Sequence, residues 1–133
     1  MSGFSDSTNL IYANIQNVKK IGPYAFYKCT SLSSIDCQNL NYIDKYAFRY
    51  CSALSSISLP NVNYIAAIAF TNCINLVSVD FSKKIDNVIP RLMSSNAFNY
   101  TSENLSIFVP SNLLNSWQNA ANWIELSSKI YGI

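Results

Sequence analysis

Apolar side chains recur along this chain with a fixed period of 22. Segments 21–40 and 43–62 coincide when one is shifted by that period, and a third copy begins at Ile65. A single copy is too short to bury its own apolar positions, so the pattern predicts repeats that stack on one another. The aligned columns are Ile21, Ile43, Ile65; Ala25, Ala47, Ala69; Phe26, Phe48, Phe70; Cys29, Cys51, Cys73; Leu32, Leu54, Leu76; and Ile35, Ile57, Val79.

Each repeat contains two predicted elements. Polar and apolar residues alternate over 33–37, which indicates a short, half-buried strand. Between Asp44 and Cys51 the apolar residues fall at helical spacing, which indicates one tight helical turn. We therefore predict an α/β solenoid whose strands form one curved parallel sheet. The five strands are expected near residues 12–16, 33–37, 55–59, 77–81 and 106–109.

The period changes in the last third of the chain. The pair Ala97-Phe98 should follow Ala69-Phe70 by one period, but it stands further along the chain, so residues 83–96 contain an insertion. Insertions in repeat proteins usually form loops on one face. This one is either a contact loop or a spacer that fits the stack to its end.

Beyond Pro110 the pattern becomes helical. Ser111 is expected to be an N-cap, and Leu113, Leu114 and Trp117 then follow at helical spacing. Trp123, Ile130 and Tyr131 belong to a second apolar cluster. The predicted organisation is a flexible N-terminal segment at 1–9, a solenoid at 10–110 and a helical cap at 111–133.

Three motifs resemble the BspA-like leucine-rich repeat family. They are I-G-x-x-A-F-x-x-C from Ile21, L-x-x-I from Leu32, and L-x-x-I-x-L-P from Leu54. Asp44 and Ala66 depart from the pattern, because they replace its glycine. The resemblance implies a leucine-rich repeat solenoid of period 22. Members of this family are mostly surface proteins, adhesins and binding modules, and similar repeats occur in bacteriophage structural proteins.

Composition and charge exclude several classes of function. Charged residues make up 12% of the chain, with nine basic and seven acidic residues and a net charge of +2. No cluster of Lys and Arg is present, which argues against a nucleic-acid partner. No apolar run approaches the roughly 20 residues of a membrane span. Residues 1–9 do not resemble a signal peptide, so we expect either a piece of a longer secreted protein or another route of export.

The chain also lacks the residues of common catalytic and metal sites. It has no His, only three Gly and no G-x-S-x-G motif, so we expect no enzyme activity and no cofactor. The four cysteines form no C-x-x-C pair, and no metal site is expected. Stacking would place Cys29, Cys51 and Cys73 within disulfide distance, but buried free thiols are the favoured interpretation.

Two groups of residues are candidates for binding. The first is the outward side of the predicted strands, a flat and mildly acidic face, and the second is two pairs of tyrosines that share columns. Both could contact a protein or a glycan, although a solvated sheet face and tyrosines that merely shield the core are the alternatives. The strand-face candidates are Tyr12, Asn14, Asp36, Asp80 and Phe108, and the tyrosine pairs are Tyr24 with Tyr46 and Tyr42 with Tyr64.

The first repeat has no predicted cap. Its apolar residues Leu10, Ile11, Ala13, Ile15 and Val18 would be exposed. We therefore predict that this end docks on another chain or on upstream sequence. The function expected from the sequence is a non-catalytic recognition or adhesion module, extracellular or at a cell surface, whose partner is a protein or glycan of a host or cell surface. The alternative is a small structural or decoration protein of a bacteriophage virion.

Overall fold

A computed structural model describes residues 3–133, and short parallel strands are its main element. The strands are β1 Tyr12–Asn14, β2 Lys20–Ile21, β3 Ser34–Asp36, β4 Tyr42–Ile43, β5 Ser56–Ser58, β6 Tyr64–Ile65, β7 Ser78–Asp80, β8 Arg91–Leu92, β9 Ser106–Val109 and β10 Ile130–Gly132. One α-helix, α1, spans Leu114–Gln118, and 3₁₀ helices span Ser95–Phe98, Ser111–Leu113 and Ile124–Lys129.

The five predicted strands are present as β1, β3, β5, β7 and β9, and their pairing is parallel. The prediction of one continuous sheet is wrong. Strands β1 and β3 form one sheet, and β5, β7, β9 and β10 form another. The interruption coincides with Cys37, whose Sγ donates to the carbonyl of Ser58 at 3.5 Å. In the following repeat the backbone N–H of Leu59 makes the equivalent bond, to Asp80.

A further sheet, which the sequence did not predict, is formed by β2, β4, β6 and β8. Each of its strands is two residues long. Along the chain, β2, β4, β6 and β8 follow β1, β3, β5 and β7. One residue of each strand is buried in the core, and the other lies on the outer surface. The buried residues are Ile21, Ile43, Ile65 and Leu92.

The predicted helical turn between Asp44 and Cys51 is not a helix. Tyr46 has a φ of 62°, in the left-handed region that ends a right-handed turn. The N–H of Cys51 bonds within the repeat, to Phe48 at 3.1 Å, whereas the N–H of Phe48 bonds to Ala69 in the next repeat at 2.8 Å. These N–H groups are therefore divided between local turns and the neighbouring repeat.

The centre of the core is a stack of phenylalanine rings, one from each repeat. Neighbouring ring centroids lie 5.1 to 5.4 Å apart, and the planes are within 6° of parallel. Trp123 of the cap closes the stack at 6.0 Å from Phe98. The stacked residues are Phe4, Phe26, Phe48, Phe70 and Phe98.

The N-terminal segment was predicted to be flexible and outside the repeats, but the structure continues the repeat geometry to Phe4. The N–H of Phe4 bonds to Ala25, and the N–H of Asp6 bonds to Tyr27. Asp6 has a φ of 61°, close to the 58° of Lys28 one repeat later. Phe4 therefore belongs to the phenylalanine column, although its partial repeat is too short to show the period. Residues 1 and 2 of the predicted segment lie outside the described residues.

The cap combines helical turns with a strand. Pro110, not the predicted Ser111, occupies the N-cap position, and its side chain has no polar group to cap the helix. Strand β10 then pairs with β9, so Ile130 and Tyr131 extend the sheet, and Ile130 is buried in the core together with Trp123. Trp117 and Trp123 are buried and pack against Phe81, and their indoles cover the last repeat.

Candidate binding surfaces

Four side chains form one row across the outer surface of the β2–β4–β6–β8 sheet. Lys20 pairs with Tyr42, Tyr42 with Tyr64, and Tyr64 with Arg91. The rings of Tyr42 and Tyr64 stack with centroids 4.3 Å apart and planes 5° from parallel. The ammonium of Lys20 lies 4.4 Å from the centroid of the Tyr42 ring. We call this row, Lys20, Tyr42, Tyr64 and Arg91, the tyrosine ledge.

Stacking determines which parts of the tyrosine ledge remain available. The two faces of the Tyr42 ring are covered by Tyr64 and Lys20, so its accessible parts are the ring edge and the hydroxyl. Partial burial raises the pKa of the Tyr64 phenol, and the neighbouring Tyr42 adds to that effect while Arg91 opposes it. The Tyr64 phenol is therefore a neutral hydrogen-bonding group at physiological pH.

A shallow groove of about 490 Å³ lies beside the tyrosine ledge. Asparagines on its wall hold neighbouring repeats together: the side-chain amide of Asn39 donates to Gln16 at 2.7 Å, and that of Asn61 donates to Gln38 at 2.7 Å. An amide has two N–H donors and one carbonyl acceptor, so each retains capacity for a ligand. The groove residues are Lys19, Lys20, Asn39, Asn41, Tyr42 and Asn61.

The other tyrosine pair forms a separate cluster on the turns. Tyr24 and Tyr46 stack at 4.7 Å, and Tyr27 meets the edge of Tyr24 at 5.2 Å. The guanidinium of Arg49 lies 4.8 Å from the centroid of Tyr50. These rings pack against one another and against charged side chains, and Tyr24 remains 42% exposed.

The predicted strand-face residues lie in two groups, one on each side of the interruption: Asn14 is the register partner of Asp36, and Asp80 is the register partner of Phe108. Asn14 and Asp80 accept hydrogen bonds from the backbone N–H groups of Gln16 and Ser82, two residues later, so they stabilise local turns. Tyr12 lies on β1 at one end of the solenoid. At the other end Phe108, on β9, contacts Tyr131 with ring centroids 6.3 Å apart.

Asp36 differs from the other acidic residue of the strand face. Its Oδ1 atom is buried and accepts no hydrogen bond from the part of the chain that the structure describes. The residue lies at the end of β3, next to the interruption between the sheets. The structure therefore places the nine predicted site residues in two tyrosine clusters and in two groups on the strand face.

Sequence reasoning missed Lys20 and Arg91. Lys20 stands one period before Tyr42 and could have been found from the same column. Arg91 follows Tyr64 by more than one period, because the insertion moves it out of the column. Only the pairing of β6 with β8 places Arg91 in the row.

The first residues of the insertion form hydrogen bonds with the solenoid. The buried ammonium of Lys84 donates to the carbonyl of Val62 at 3.0 Å and to Oδ1 of Asn63 at 2.8 Å, and it forms an ion pair with Asp86 at 3.3 Å. Burial lowers the pKa of Lys84, and Asp86 opposes that effect. These contacts agree with the interpretation of the insertion as a spacer.

The last residues of the insertion form hydrogen bonds with the cap. The amide of Asn122 donates to Leu92 at 2.7 Å, and the indole N–H of Trp123 donates to Pro90 at 2.7 Å. A pocket of about 400 Å³ remains between the two segments, with Arg91 and Met93 among its lining residues. The cap therefore fixes the position of β8, and with it one end of the tyrosine ledge.

The cysteines offer no accessible nucleophile. All four are buried as free thiols, and burial raises the pKa of Cys37 and Cys73 to about 12. In residues 3–133 no group of three His, Cys, Asp or Glu side chains is arranged to hold a metal ion. No helix within the same residues is long and apolar enough to cross a membrane.

Comparison with known proteins agrees with this architecture. The model of the BspA type leucine rich repeat region matches residues 1–103 in six copies. The chain belongs to the BspA-type leucine-rich repeat family. BspA-type repeats, like other leucine-rich repeats, serve in general as binding modules, and they are typically not catalytic. The match begins before Leu10, in agreement with the position of Phe4 in the phenylalanine stack.

A solved structure shares the fold of this BspA-type chain. It is the crystal structure of a leucine-rich repeat protein from Bacteroides ovatus ATCC 8483, with a TM-score of 0.72 and 25% sequence identity. The alignment covers 99% of this chain and 32% of that one, so the chain spans about a third of the length of its structural neighbour. No curated protein matches the sequence significantly.

Proposed function

We propose that this BspA-type domain is a non-catalytic recognition and adhesion module that binds its partner through the tyrosine ledge. The observation that supports this most directly is the row of Lys20, Tyr42, Tyr64 and Arg91 across four paired strands. A sheet holds such a row in fixed register, so a partner does not have to order it on binding. Preorganised aromatic and basic side chains are typical of residues that dominate binding energy.

The tyrosine ledge fits this role better than the other two surfaces. None of its four side chains belongs to the buried core. On the strand face, by contrast, Asn14 and Asp80 are used by local turns. The turn tyrosines Tyr24 and Tyr46 are held with positive φ, so part of their role is in the backbone of the turn.

The proposal also includes a place and a class of partner. Members of this family are often surface-associated, and a cell-surface or secreted location would give the tyrosine ledge access to proteins and glycans of a host or neighbouring cell. The low proportion of charged residues, 12%, is consistent with recognition by hydrogen bonds and aromatic contacts more than by bulk electrostatic attraction.

A binding screen tests the proposal. The purified chain is applied to immobilised extracellular-matrix proteins and to a glycan array, beside a Tyr42→Ala/Tyr64→Ala variant and a control. The control, Tyr100→Asn, changes a tyrosine that is 73% exposed and lies outside the strands of the ledge. We expect saturable binding that the double substitution weakens by about tenfold or more and the control leaves unchanged.

Two results would count against the proposal. Absence of saturable binding to every protein and glycan would remove the recognition function. Binding of the chain only to copies of itself would instead favour the alternative role as a structural protein of a virion. Circular dichroism of both variants establishes that a loss of binding is not a loss of fold.

A further inference from the structure

We infer that the tyrosine ledge and its groove bind an acidic oligosaccharide, a chain of hydroxyl-bearing sugars with widely spaced carboxylate or sulfate groups. This inference rests on the proposed recognition function and specifies the ligand class. It follows from three features of the row: where its charges lie, what its centre offers, and which negative groups surround it.

The positive charges lie at the two ends of the tyrosine ledge. Lys20 is on β2 and Arg91 is on β8, and three strand spacings separate them, about 14 Å at the usual distance between strands. Lys19 adds a second ammonium at the Lys20 end, where it lines the groove. Both ends of the row are exposed. A matching ligand therefore has anionic groups that are separated, not contiguous.

The centre of the tyrosine ledge is neutral and rich in hydrogen-bonding groups. The facing rings of Tyr42 and Tyr64 cover each other, so a nucleobase cannot insert between them or stack on the buried faces. The accessible groups are phenol hydroxyls and the side-chain amides of Asn39 and Asn41. These groups both donate and accept hydrogen bonds, as sugar hydroxyls do. The middle of the ligand is therefore expected to carry hydroxyl groups.

An acidic residue beside the tyrosine ledge selects against densely charged ligands. Asp44 follows Tyr42 by two residues, and its charge acts on the Tyr64 phenol. The charge of Asp86 is balanced by its ion pair with Lys84 and adds no such selection. A continuous polyanion such as a nucleic acid or an acidic peptide would place charge against Asp44. An acidic oligosaccharide avoids it, because most of its groups are neutral.

Calorimetric titration of the full chain tests the inference with three defined probes. A hyaluronan hexasaccharide carries carboxylates on alternate sugars. Fully N-acetylated chitohexaose carries amides and hydroxyls without charge, and poly-glutamate is a contiguous polyanion. We expect the Kd of hyaluronan to be at least about tenfold lower than that of either other probe. Tyr42→Ala/Tyr64→Ala should weaken that binding by a similar factor, whereas Tyr100→Asn should not change it.

The dependence of hyaluronan binding on salt distinguishes the contribution of the charged ends of the tyrosine ledge from that of its tyrosines. Lys20→Ser and Arg91→Ser should each weaken hyaluronan binding and reduce its salt dependence between about 50 and about 500 mM NaCl. Lys129→Ser removes an equal charge from the cap and should have neither effect. Circular dichroism shows whether each variant is folded.

Several outcomes would overturn the inference. One is an affinity for N-acetylated chitohexaose or for poly-glutamate that equals the affinity for hyaluronan. Another is hyaluronan binding that is absent, or that the substitutions in the tyrosine ledge do not change. The proposed recognition function has a separate test, because the binding screen can find a protein partner that depends on the same tyrosines. In that case the function is supported and the acidic oligosaccharide is not.

Discussion

The Sγ of Cys51 donates a hydrogen bond to the carbonyl oxygen of Phe26, 3.1 Å away in the preceding repeat. The bond recurs in the neighbouring repeats, from Cys29 to Phe4 at 2.9 Å and from Cys73 to Phe48 at 3.0 Å. The cysteine column is therefore a ladder of thiol donors, each of which satisfies a buried backbone carbonyl. This role requires the protonated thiol.

Stability should therefore fall at alkaline pH. Burial raises the pKa of Cys73 from 9.0 to about 12 and also raises that of Cys51. A folded pKa above the unfolded one means that the thiol contribution is complete below the unfolded value and is lost as the pH rises toward the folded value. We expect the free energy of unfolding, measured with urea, to drop by about 1–2 kcal/mol per buried thiol between about pH 8 and about pH 10.

Substitution of serine provides the control for this pH dependence. In a Cys51→Ser/Cys73→Ser variant the hydroxyls can donate the same bonds but do not ionise in this range. The fall in stability with pH should then be smaller than in the unchanged chain, although Lys and Tyr ionisation remains in both. An equal fall in the two proteins would show that the thiols do not cause it.

We predict that Phe48→Ala lowers the free energy of unfolding by about 3–5 kcal/mol. Phe48 is fully buried and stacks on Phe26 and Phe70, so its removal leaves a cavity in the middle of the phenylalanine stack. Thermal unfolding measures the effect. The matched variant Phe4→Ala should lose less, because that ring is 37% exposed and stacks only on Phe26. An unchanged melting temperature for Phe48→Ala would contradict the packing described.

Ile68→Asn should stabilise the fold. Ile68 has a φ of 63°, a conformation that is costly for a β-branched side chain and that asparagine tolerates. The gain is expected to be about 1 kcal/mol, less the loss of partial burial, and appears as a higher melting temperature. Ile74→Asn, at a position 55% exposed, is the control and should change stability by less than about 0.5 kcal/mol. A lower melting temperature for Ile68→Asn would mean that packing outweighs the backbone strain.

The first repeat should promote association with another chain. Ile11 is 64% exposed and Tyr12 is 52% exposed, whereas Ala13 and Ile15 are buried within the chain itself, contrary to the expectation that all would be uncovered. Within the described residues β1 pairs with β3 alone, so its other edge is available for a further strand. We expect sedimentation velocity to show concentration-dependent association, which Ile11→Lys reduces and Ile85→Lys, on the insertion, does not. A chain that stays monomeric throughout would contradict this prediction.

The sequence predicted those parts of the fold that depend on burial at a fixed period. The phenylalanine column, the cysteine column and the first set of strands follow from the period of 22, because each column must face the same core. The pairing of Tyr42 with Tyr64 follows from the same register and is present in the structure. In these cases side-chain type and interval together determine the neighbour.

Features that depend on backbone bonds between repeats could not be predicted in this way. The strands of the β2–β4–β6–β8 sheet are two residues long, too short to show alternation of polar and apolar residues. The apolar residues around Tyr46 have helical spacing in the sequence. Only the backbone hydrogen bonds to the next repeat, such as that from Phe48 to Ala69, show that the segment is not helical. Arg91 and β10 are outside the period, so their places in the sheets depend on how the insertion and cap pack.

The interruption between β3 and β5 affects only one side of the solenoid. In the β2–β4–β6–β8 sheet, β2, β4 and β6 pair without a gap, and in the core the ring of Phe48 remains stacked on that of Phe26. Bending that opens the strand face at this point breaks no strand pairing there, whereas bending that opens the β2–β4–β6–β8 sheet has to break continuous pairing. We therefore expect the solenoid to bend most easily in the direction that opens the strand face, while the β2–β4–β6–β8 sheet stays paired. Bending of this kind leaves the row of Lys20, Tyr42 and Tyr64, and the ligand site proposed on it, unchanged.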